Sequence, residues 1–329
     1  MKILKRILFG LLIIIAFAAL LLITPRVWSA MNPDNPPIGY HFSIPGYMAL
    51  GVGLERIIDN NPVITSDIEE IKDVEYKNIN GKSLQLDIFR PKNSVKPPPL
   101  LVFIHGGSWS QGKRSDYLVY TVAFAKKGYM TASISYRLLK DGFYPACVED
   151  VTDAVQWLFK NGNNYGYDPD RIALIGGSAG AHLALLAAYG WKKPNVSGDT
   201  TTIVQANHRI KAVVDIYGPI DFTTDYARNQ PLITRFLNHT YEEMPALYKE
   251  ASPIQYVNKN NPPTMILHGT SDELVPVSQS DQLKARLDSA GVPNVYYKVP
   301  FWPHAMDVVQ RVNDYSQLKM NDFFDRYLK

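Results

Sequence analysis

Residues 172–183 read IALIGGSAGAHL, and this stretch decides the fold. An apolar run, a glycine-rich turn and a second apolar run with helical spacing predict a strand, a sharp turn and a helix. Ser178 stands at the turn, with Gly176 and Gly180 two positions to either side. Such a turn strains the serine backbone and lifts its hydroxyl above the sheet, and the flanking positions must be small because they approach other backbone closely. The pattern predicts a nucleophilic serine at Ser178 rather than a structural Ser-Gly turn.

The chain on both sides of this stretch alternates between apolar runs and helical patterns. Alternating residues at 74–76 and 84–89, around Asn80-Gly81, predict an antiparallel hairpin. Continuous apolar runs, typical of strands covered on both faces, occupy residues 100–104, 130–136, 172–175, 212–217, 264–267 and 295–299. Helical patterns occupy residues 117–127, 146–161, 179–189, 278–290 and 305–327. This order predicts an α/β fold, with a mainly parallel central sheet, helices on both faces and functional groups at the carboxyl ends of the strands.

The sequence HGGSW at residues 105–109 directly follows one of these strands. Attack of a serine on a carbonyl carbon creates an oxyanion that needs fixed hydrogen-bond donors. Glycine lets backbone N–H groups approach the reacting carbon without a side chain in the way. We therefore expect an oxyanion hole built from the N–H groups of Gly106, Gly107 and Ala179, with His105 orienting the loop. Trp109 is expected either to line a substrate pocket or to pack in the core.

An acid and a base are expected after the nucleophile, in that chain order. Asp272 lies in the loop after the strand predicted at 264–267, and His304 lies in the short loop between the last strand and the final helix. His304 would take the proton of Ser178 as general base, and Asp272 would fix the tautomer of the imidazole. Glu273, the next residue in the chain, is the alternative acid.

Three other polar residues in these segments are expected to have structural roles. His182, one helical turn after the predicted nucleophile, and His268, at the end of a strand, should fill packing positions, and Asp307 should start the last helix. A metal centre built from the histidines is not expected, because no H-E-x-x-H motif and no carboxylate cluster accompany them.

Taken together, these motifs resemble those of the α/β-hydrolase superfamily, in the neighbourhood of the carboxylesterases and the hormone-sensitive-lipase-like enzymes. The resemblance covers residues 74–329 and is carried by the following motifs: HGGSW at 105–109, YDPDRI at 167–172, GGSAG at 176–180, HGTSD at 268–272, and His304. Within the group, the forms HGGSW and GGSAGAHLA are similar to those of small acetyl-esterases and formamidases. The hormone-sensitive-lipase branch usually shows HGGG and GDSAGG, so Ser108 and Gly177 depart from its pattern.

The resemblance implies an esterase that acts on short acyl esters of small molecules without a cofactor. It also implies a small cap between two strands, within residues 218–263. Aromatic residues there would either roof an acyl pocket or form an ordinary helix core. Trp109, Phe222 and Trp302 are the candidates for lining the substrate pocket. A polar insertion before the strand at 212–217, between Trp191 and Arg209, is expected to be an exposed loop.

The N-terminus has the pattern of a membrane-directed segment. Lys2, Lys5 and Arg6 precede an uncharged apolar run at residues 7–23, which Thr24-Pro25-Arg26 is expected to end. The length fits one membrane-spanning helix, and the basic side predicts that the rest of the chain lies outside the cytoplasmic membrane. Residues 1–25 are thus expected to form either an uncleaved signal anchor or a cleaved signal peptide of a secreted protein. Residues 26–73 are expected to form a linker and extension with a short helix at 47–58, and residues 74–329 the catalytic domain.

Composition limits the remaining function classes. The chain has 329 residues, 46% of them hydrophobic and 20% charged, which excludes a disordered protein. A net charge of +3 without a dense basic stripe excludes nucleic acid as an expected partner. Cys147 is the only cysteine, so the chain has no intrachain disulfide. The alternatives to an esterase are a serine peptidase or a formamidase-type amidase of the same fold, and a hydrolase fold used only for binding. The oligomeric state is not predicted.

Overall fold

A computed structural model describes residues 2–41, 43–191 and 209–329 of the chain. The loop expected between Trp191 and Arg209 therefore lies outside the described residues, apart from its two ends. The strands are β1 Ile68–Ile79, β2 Lys82–Pro91, β3 Pro99–Ile104, β4 Met130–Ile134, β5 Asp168–Gly177, β6 Ile210–Ile216, β7 Thr264–Gly269 and β8 Asn294–Val299. The helices are α1 Lys2–Met31, α2 Ser43–Gly51, α3 Leu118–Lys126, α4 Ala146–Tyr165, α5 Ala179–Tyr189, α6 Asp225–Arg228, α7 Pro231–Leu237, α8 Pro245–Glu250, α9 Ser278–Ala290 and α10 Gln310–Tyr327.

Within the described residues the strands form one sheet in the order β1-β2-β4-β3-β5-β6-β7-β8. The pairs β1–β2 and β2–β4 are antiparallel, and all the other pairs are parallel. Every residue of β3 and β7 is buried, as expected of central strands covered on both faces, whereas β8 at the edge is mostly half-buried. The prediction of a mainly parallel sheet led by an antiparallel hairpin is confirmed.

Two hydrophobic cores lie on opposite faces of the sheet. One core contains buried side chains of α4, α5 and α9, and the other contains those of α3 and α10. Parallel strands joined by helical crossovers bring all their carboxyl ends to one edge. The ends of β3, β5, β7 and β8, which carry the predicted site residues, therefore meet at that edge.

The N-terminal region differs from the prediction in three places. The first helix does not end at Thr24-Pro25-Arg26 but continues to Met31. Pro25 removes one N–H, and with it the bond to the Leu21 carbonyl oxygen, yet the helix stays continuous through it. The second helix spans Ser43–Gly51 instead of 47–58, because Gly51-Val52-Gly53 breaks it and Gly53 takes a positive φ of 74°. The strand β1 also begins at Ile68, inside the segment predicted as a linker.

Candidate active site

The turn between β5 and α5 holds Ser178 in a strained conformation, with φ 55° and ψ −123°. A Cβ added at Gly176 would collide with the carbonyl oxygen of Gly180, and one added at Gly180 would collide with the carbonyl oxygen of Ile104. Both positions therefore require glycine for the steric reason that the sequence pattern suggested. The Ser178 N–H donates to the carbonyl oxygen of Ile216 on β6 at 2.9 Å, which fixes the turn against the sheet.

His304 lies between Ser178 and Asp272. Its Nε2 is 2.9 Å from the Ser178 Oγ, and its Nδ1 is 2.6 Å from the Asp272 Oδ2. With the proton on Nδ1, the ring donates to the carboxylate and leaves Nε2 free to accept the serine proton. The three residues that sequence order selected are thus joined in one hydrogen-bonded chain, although they come from three different loops.

Asp272 is more than an acceptor for one histidine. Its Oδ1 accepts hydrogen bonds from the N–H groups of Leu274 and Val275, at 2.9 and 2.8 Å. Burial by itself would raise the pKa of Asp272, but hydrogen bonds from His268 and His304 outweigh it and lower the pKa to about 2. The carboxylate therefore stays ionised at any pH at which an esterase works.

The structure corrects the role expected of His268. Its Nε2 is 3.2 Å from the Asp272 Oδ2 and 2.9 Å from the carbonyl oxygen of Val275. Both of these atoms are acceptors, so Nε2 carries the proton, while Nδ1 faces the Ser280 hydroxyl at 2.7 Å. His268 is thus a buried donor that holds the acid, and not only a packing residue. Glu273, the alternative acid, points to solvent.

The loop after β3 reaches the same point from the other side. Gly107 has a positive φ of 104°, and the helix α5 starts at Ala179. None of the hydrogen bonds among the described residues is donated by the N–H groups of Gly106, Gly107 or Ala179. His105 donates from Nδ1 to the Gly106 carbonyl oxygen at 2.9 Å and stacks on Tyr136 at 4.3 Å between ring centroids. The loop therefore has the rigid support that an oxyanion hole needs.

A narrow cleft of about 20 Å³ opens beside Ser178. Its walls include Trp109 and, from the predicted cap, Tyr226, Leu232 and Ile233. Trp109 is also packed, with its ring stacked on Phe236 at 4.1 Å between centroids. The wall and packing roles considered for Trp109 are therefore both present in this one side chain.

The two other pocket candidates are placed away from the cleft. Phe222 is fully buried and stacks on His182 behind the cleft wall. His182 is itself buried and lies between the Trp109 indole nitrogen and the carbonyl oxygen of Ala251, so it packs beside the turn as expected. Trp302 lies in the loop before His304, where its Nε1 donates to the carbonyl oxygen of Pro37 at 2.9 Å. Phe236 and Tyr248 of the cap belong to a helix core, whereas Tyr226 lines the cleft, so both roles considered for the cap aromatics occur.

A second buried carboxylate, which the sequence did not reveal, lies behind His304. Asp307 was expected to start the last helix. It lies instead in a short 3₁₀ turn before α10, and its side chain points inward. Its carboxylate accepts hydrogen bonds from the hydroxyl groups of Tyr217 and Tyr120. Burial raises the pKa of Asp307, and these bonds partly offset the rise. The Tyr217 ring lies 4.7 Å from the His304 ring, so this cluster supports the base from behind.

The N-terminal extension holds the loop that carries His304. Besides the bond from Trp302, three backbone hydrogen bonds join the extension to this loop and to the turn that follows. They are Gly39 N–H to Pro300 O at 2.7 Å, Ile58 N–H to Val308 O at 2.9 Å and Gln310 N–H to Arg56 O at 2.8 Å. Residues 37–58 thus brace both ends of the loop. The described part of the chain contains no group of three or more His, Cys, Asp or Glu side chains arranged to hold a metal ion.

Comparison with known proteins identifies relatives of this chain. The BD-FAE family matches residues 86–287. The chain is 34% identical over 241 residues to the esterase LipQ of Mycobacterium tuberculosis, covering 70% of this chain and 56% of that protein. It is also 34% identical to the probable carboxylic ester hydrolase LipM of the same organism, covering 70% and 54%. The chain spans about half the length of these curated relatives.

Solved structures give the same fold. A truncated carbohydrate esterase from gut microbiota superimposes with a TM-score of 0.66 at 25% identity, covering 78% of this chain and 95% of that one. The esterase Est2 of Thermogutta terrifontis superimposes with a TM-score of 0.64 at 21% identity, covering 79% of this chain and 91% of that one. This second likeness shows a shared fold and no more.

Proposed function

Since the chain belongs to the BD-FAE family of α/β hydrolases, we propose that it hydrolyses carboxylic esters through a Ser178–His304–Asp272 triad. The observation that carries this proposal is the continuous hydrogen-bonded chain of these three side chains, at 2.9 and 2.6 Å, beside a strained serine turn. The relatives, an esterase and a probable carboxylic ester hydrolase, support ester hydrolysis.

In the first half of the reaction, the Ser178 Oγ attacks the ester carbonyl while His304 Nε2 takes its proton. The oxyanion that forms accepts hydrogen bonds from the free N–H groups of Gly106, Gly107 and Ala179. His304 then returns the proton to the leaving alkoxide, and an acyl-enzyme remains on Ser178. A water molecule, deprotonated by His304, hydrolyses this ester by the same route.

Asp272 stabilises the imidazolium form of His304 without taking its proton, because the pKa of Asp272 is about 2. Its own orientation is fixed by the two backbone N–H groups and by His268. We propose that this fixed carboxylate keeps Nδ1 protonated, so that Nε2 always faces the serine.

The size of the cleft favours a short acyl group. A volume of 20 Å³ compares with roughly 10–15 Å³ for a single water molecule on the same scale. An acetyl methyl group fits this space, whereas a long acyl chain does not unless Leu232 or its neighbours move. We therefore propose acetyl-type esters as substrates, with the alcohol part reaching outward from the cleft.

We also propose that α1 anchors the protein in a membrane. Within the described residues, one helix is long and apolar enough to cross a bilayer, and its most apolar 18-residue stretch is almost entirely uncovered by the rest of the chain. Residues 1–25 would be the anchor, 26–73 the linker and extension, and 74–329 the catalytic domain, with a cap within 218–263. The basic residues before the apolar run favour an orientation with the catalytic domain outside the cytoplasmic membrane. Cleavage of the segment would instead give a secreted enzyme.

Hydrolysis of p-nitrophenyl esters from acetyl to dodecanoyl, with the Ser178→Ala variant alongside, tests the proposal. Activity that peaks at acetyl or butyryl and is lost in the variant supports it. A peak at long chains would refute the short acyl cleft, and full activity in the variant would refute the triad. Turnover of amides without turnover of esters would move the assignment to the amidase alternative.

A further inference from the structure

The short helix α2 exposes an apolar face that the rest of the described chain does not cover. Ile44, Tyr47 and Met48 are 70%, 73% and 47% exposed, and their spacing places them on one side of the helix. Val52, in the turn that follows the helix, is 66% exposed. Ala49, on the other side, is fully buried against the protein. The stretch from 43 to 54 contains no charged residue. A contiguous exposed face of this kind marks an interaction surface.

The level at which α2 lies beside α1 indicates what covers this face. The Tyr40 hydroxyl oxygen, just before α2, lies 3.3 Å from the carbonyl oxygen of Leu22. The Arg26 guanidinium donates to the carbonyl oxygen of Leu54, just after α2. Leu22 and Arg26 are one helical turn apart, about 6 Å along the axis. They lie where the uncharged apolar run ends and the first charged residue follows.

The contact between α2 and the catalytic domain is firm. Glu55 is buried, accepts a hydrogen bond from the Tyr40 hydroxyl at 3.0 Å and pairs with the Arg311 guanidinium of α10 at 2.8 Å. Arg311 also donates to the Ser29 hydroxyl of α1 at 2.9 Å. The helix α2 is therefore held between α1 and α10, so its apolar face keeps a fixed height relative to the apolar run.

We propose that α2 is a second membrane contact, with Ile44, Tyr47, Met48 and Val52 lying in the interfacial layer of the bilayer that α1 spans. This extends the proposed membrane anchor and rests on it. If residues 7–23 cross the hydrocarbon core, the level of Leu22 to Arg26 is the boundary between acyl chains and headgroups, where an uncharged apolar helix face with a tyrosine is stable. A bilayer is favoured over a protein partner because the anchor itself brings lipid to this height.

The contact has a consequence for the active site. His41, just before α2, stacks on Phe301 at 4.7 Å between ring centroids, and the Gly39 N–H donates to the Pro300 carbonyl oxygen. Both partners lie in the loop that carries His304. A lipid contact at α2 therefore holds the extension that braces the base, and it keeps the His304 loop close to the bilayer surface.

A fluorescent label placed on the full chain in phosphatidylcholine vesicles tests this. An environment-sensitive NBD group is attached to Met48→Cys, with Val95→Cys as the solvent control and Ile15→Cys as the control for the anchor. Val95 is 97% exposed in the connection between β2 and β3, and Ile15 lies in the middle of the apolar run. Cys147 is buried and stays unlabelled in the folded chain. Lipids with a nitroxide near the headgroup, or deep in the acyl region, serve as quenchers.

The expected result is a blue-shifted label at position 48 that the shallow nitroxide quenches several-fold more strongly than the label at 95. The label at 15 should be quenched best by the deep nitroxide. If position 15 is quenched but 48 behaves as 95 does, the α2 contact is refuted while the anchor stands. If neither is quenched, the anchor itself fails. A blue-shifted label at 48 that lipid does not quench would mean that protein, such as a second copy of this chain, covers the face, and would equally refute the proposal.

Discussion

Replacement of Asp272 by Asn tests whether Asp272, and not the adjacent Glu273, is the acid that pairs with His304. In Asp272→Asn, the amide oxygen can still accept from Leu274 and Val275 at the positions now 2.9 and 2.8 Å away. The amide nitrogen then faces His304 Nδ1, where the carboxylate Oδ2 had been at 2.6 Å. Two donors cannot pair, so the imidazole changes to the tautomer with the proton on Nε2 and can no longer accept the serine proton.

The expected loss in kcat is on the order of 10⁴-fold, or about 5 kcal/mol of transition-state stabilisation. Stability also changes. The pKa of Asp272 is about 2 in the folded chain against a usual 3.8, so its ionised form contributes stability above pH 3.8 that is lost as the pH falls towards 2. This difference amounts to about 2 kcal/mol at neutral pH, which the variant would lose.

The assay is kcat and KM for p-nitrophenyl acetate, together with urea unfolding at neutral pH and at pH 3. Glu273→Gln is the matched control, because Glu273 is the next residue, has the same charge and is exposed. It should retain activity and stability. The reasoning is refuted if Asp272→Asn keeps kcat within a few-fold of the parent, or if Glu273→Gln is the variant that loses it.

Three further predictions concern the serine turn, the cleft and a buried histidine. Gly180→Ala should abolish activity and cost about 1–3 kcal/mol or more in urea unfolding, because its Cβ meets the Ile104 carbonyl oxygen, whereas Gly51→Ala, with open space around it, should be neutral. Leu232→Ala should widen the cleft and raise the hexanoyl-to-acetyl ratio of kcat/KM several-fold, and an unchanged ratio would show that Leu232 does not limit acyl length. Burial lowers the pKa of His182 from 6.5 to about 4, so the neutral ring stabilises the folded chain above pH 6.5 and this contribution is lost as the pH falls. The free energy of unfolding should therefore fall by about 3 kcal/mol more between pH 6.5 and 4 in the parent than in His182→Gln. An equal dependence of unfolding free energy on pH in the two proteins would contradict this.

Much of the fold was predictable because several local sequence patterns are compatible with only one backbone conformation. The run from Ile172 into the G-x-S-x-G turn allows little other than a strand, an elbow and a helix, and the helices α5 and α9 begin and end at the predicted residues. The three triad positions could be selected because chain order in this fold fixes which loops meet at the sheet edge.

Contacts between distant segments were not predictable in the same way. Nothing in the local sequence of Trp302 indicates that its indole bonds to Pro37, which lies in the extension far along the chain. Asp307 looks like a helix-start residue by position, and only the packed structure shows it beneath Tyr217. The end of α1 was missed because a proline after an apolar run usually stops a helix, while here the helix continues through Pro25 with the loss of one backbone hydrogen bond.

The most direct test of the central claim is the site of covalent modification. The purified chain is treated with a serine-directed phosphonate, digested and analysed by mass spectrometry while residual esterase activity is followed. We predict a single adduct on the peptide that contains Ser178, formed in proportion to the loss of activity and absent in Ser178→Ala. Ester turnover that persists when Ser178 is fully modified, or an adduct on a different serine that tracks inactivation, would contradict the account.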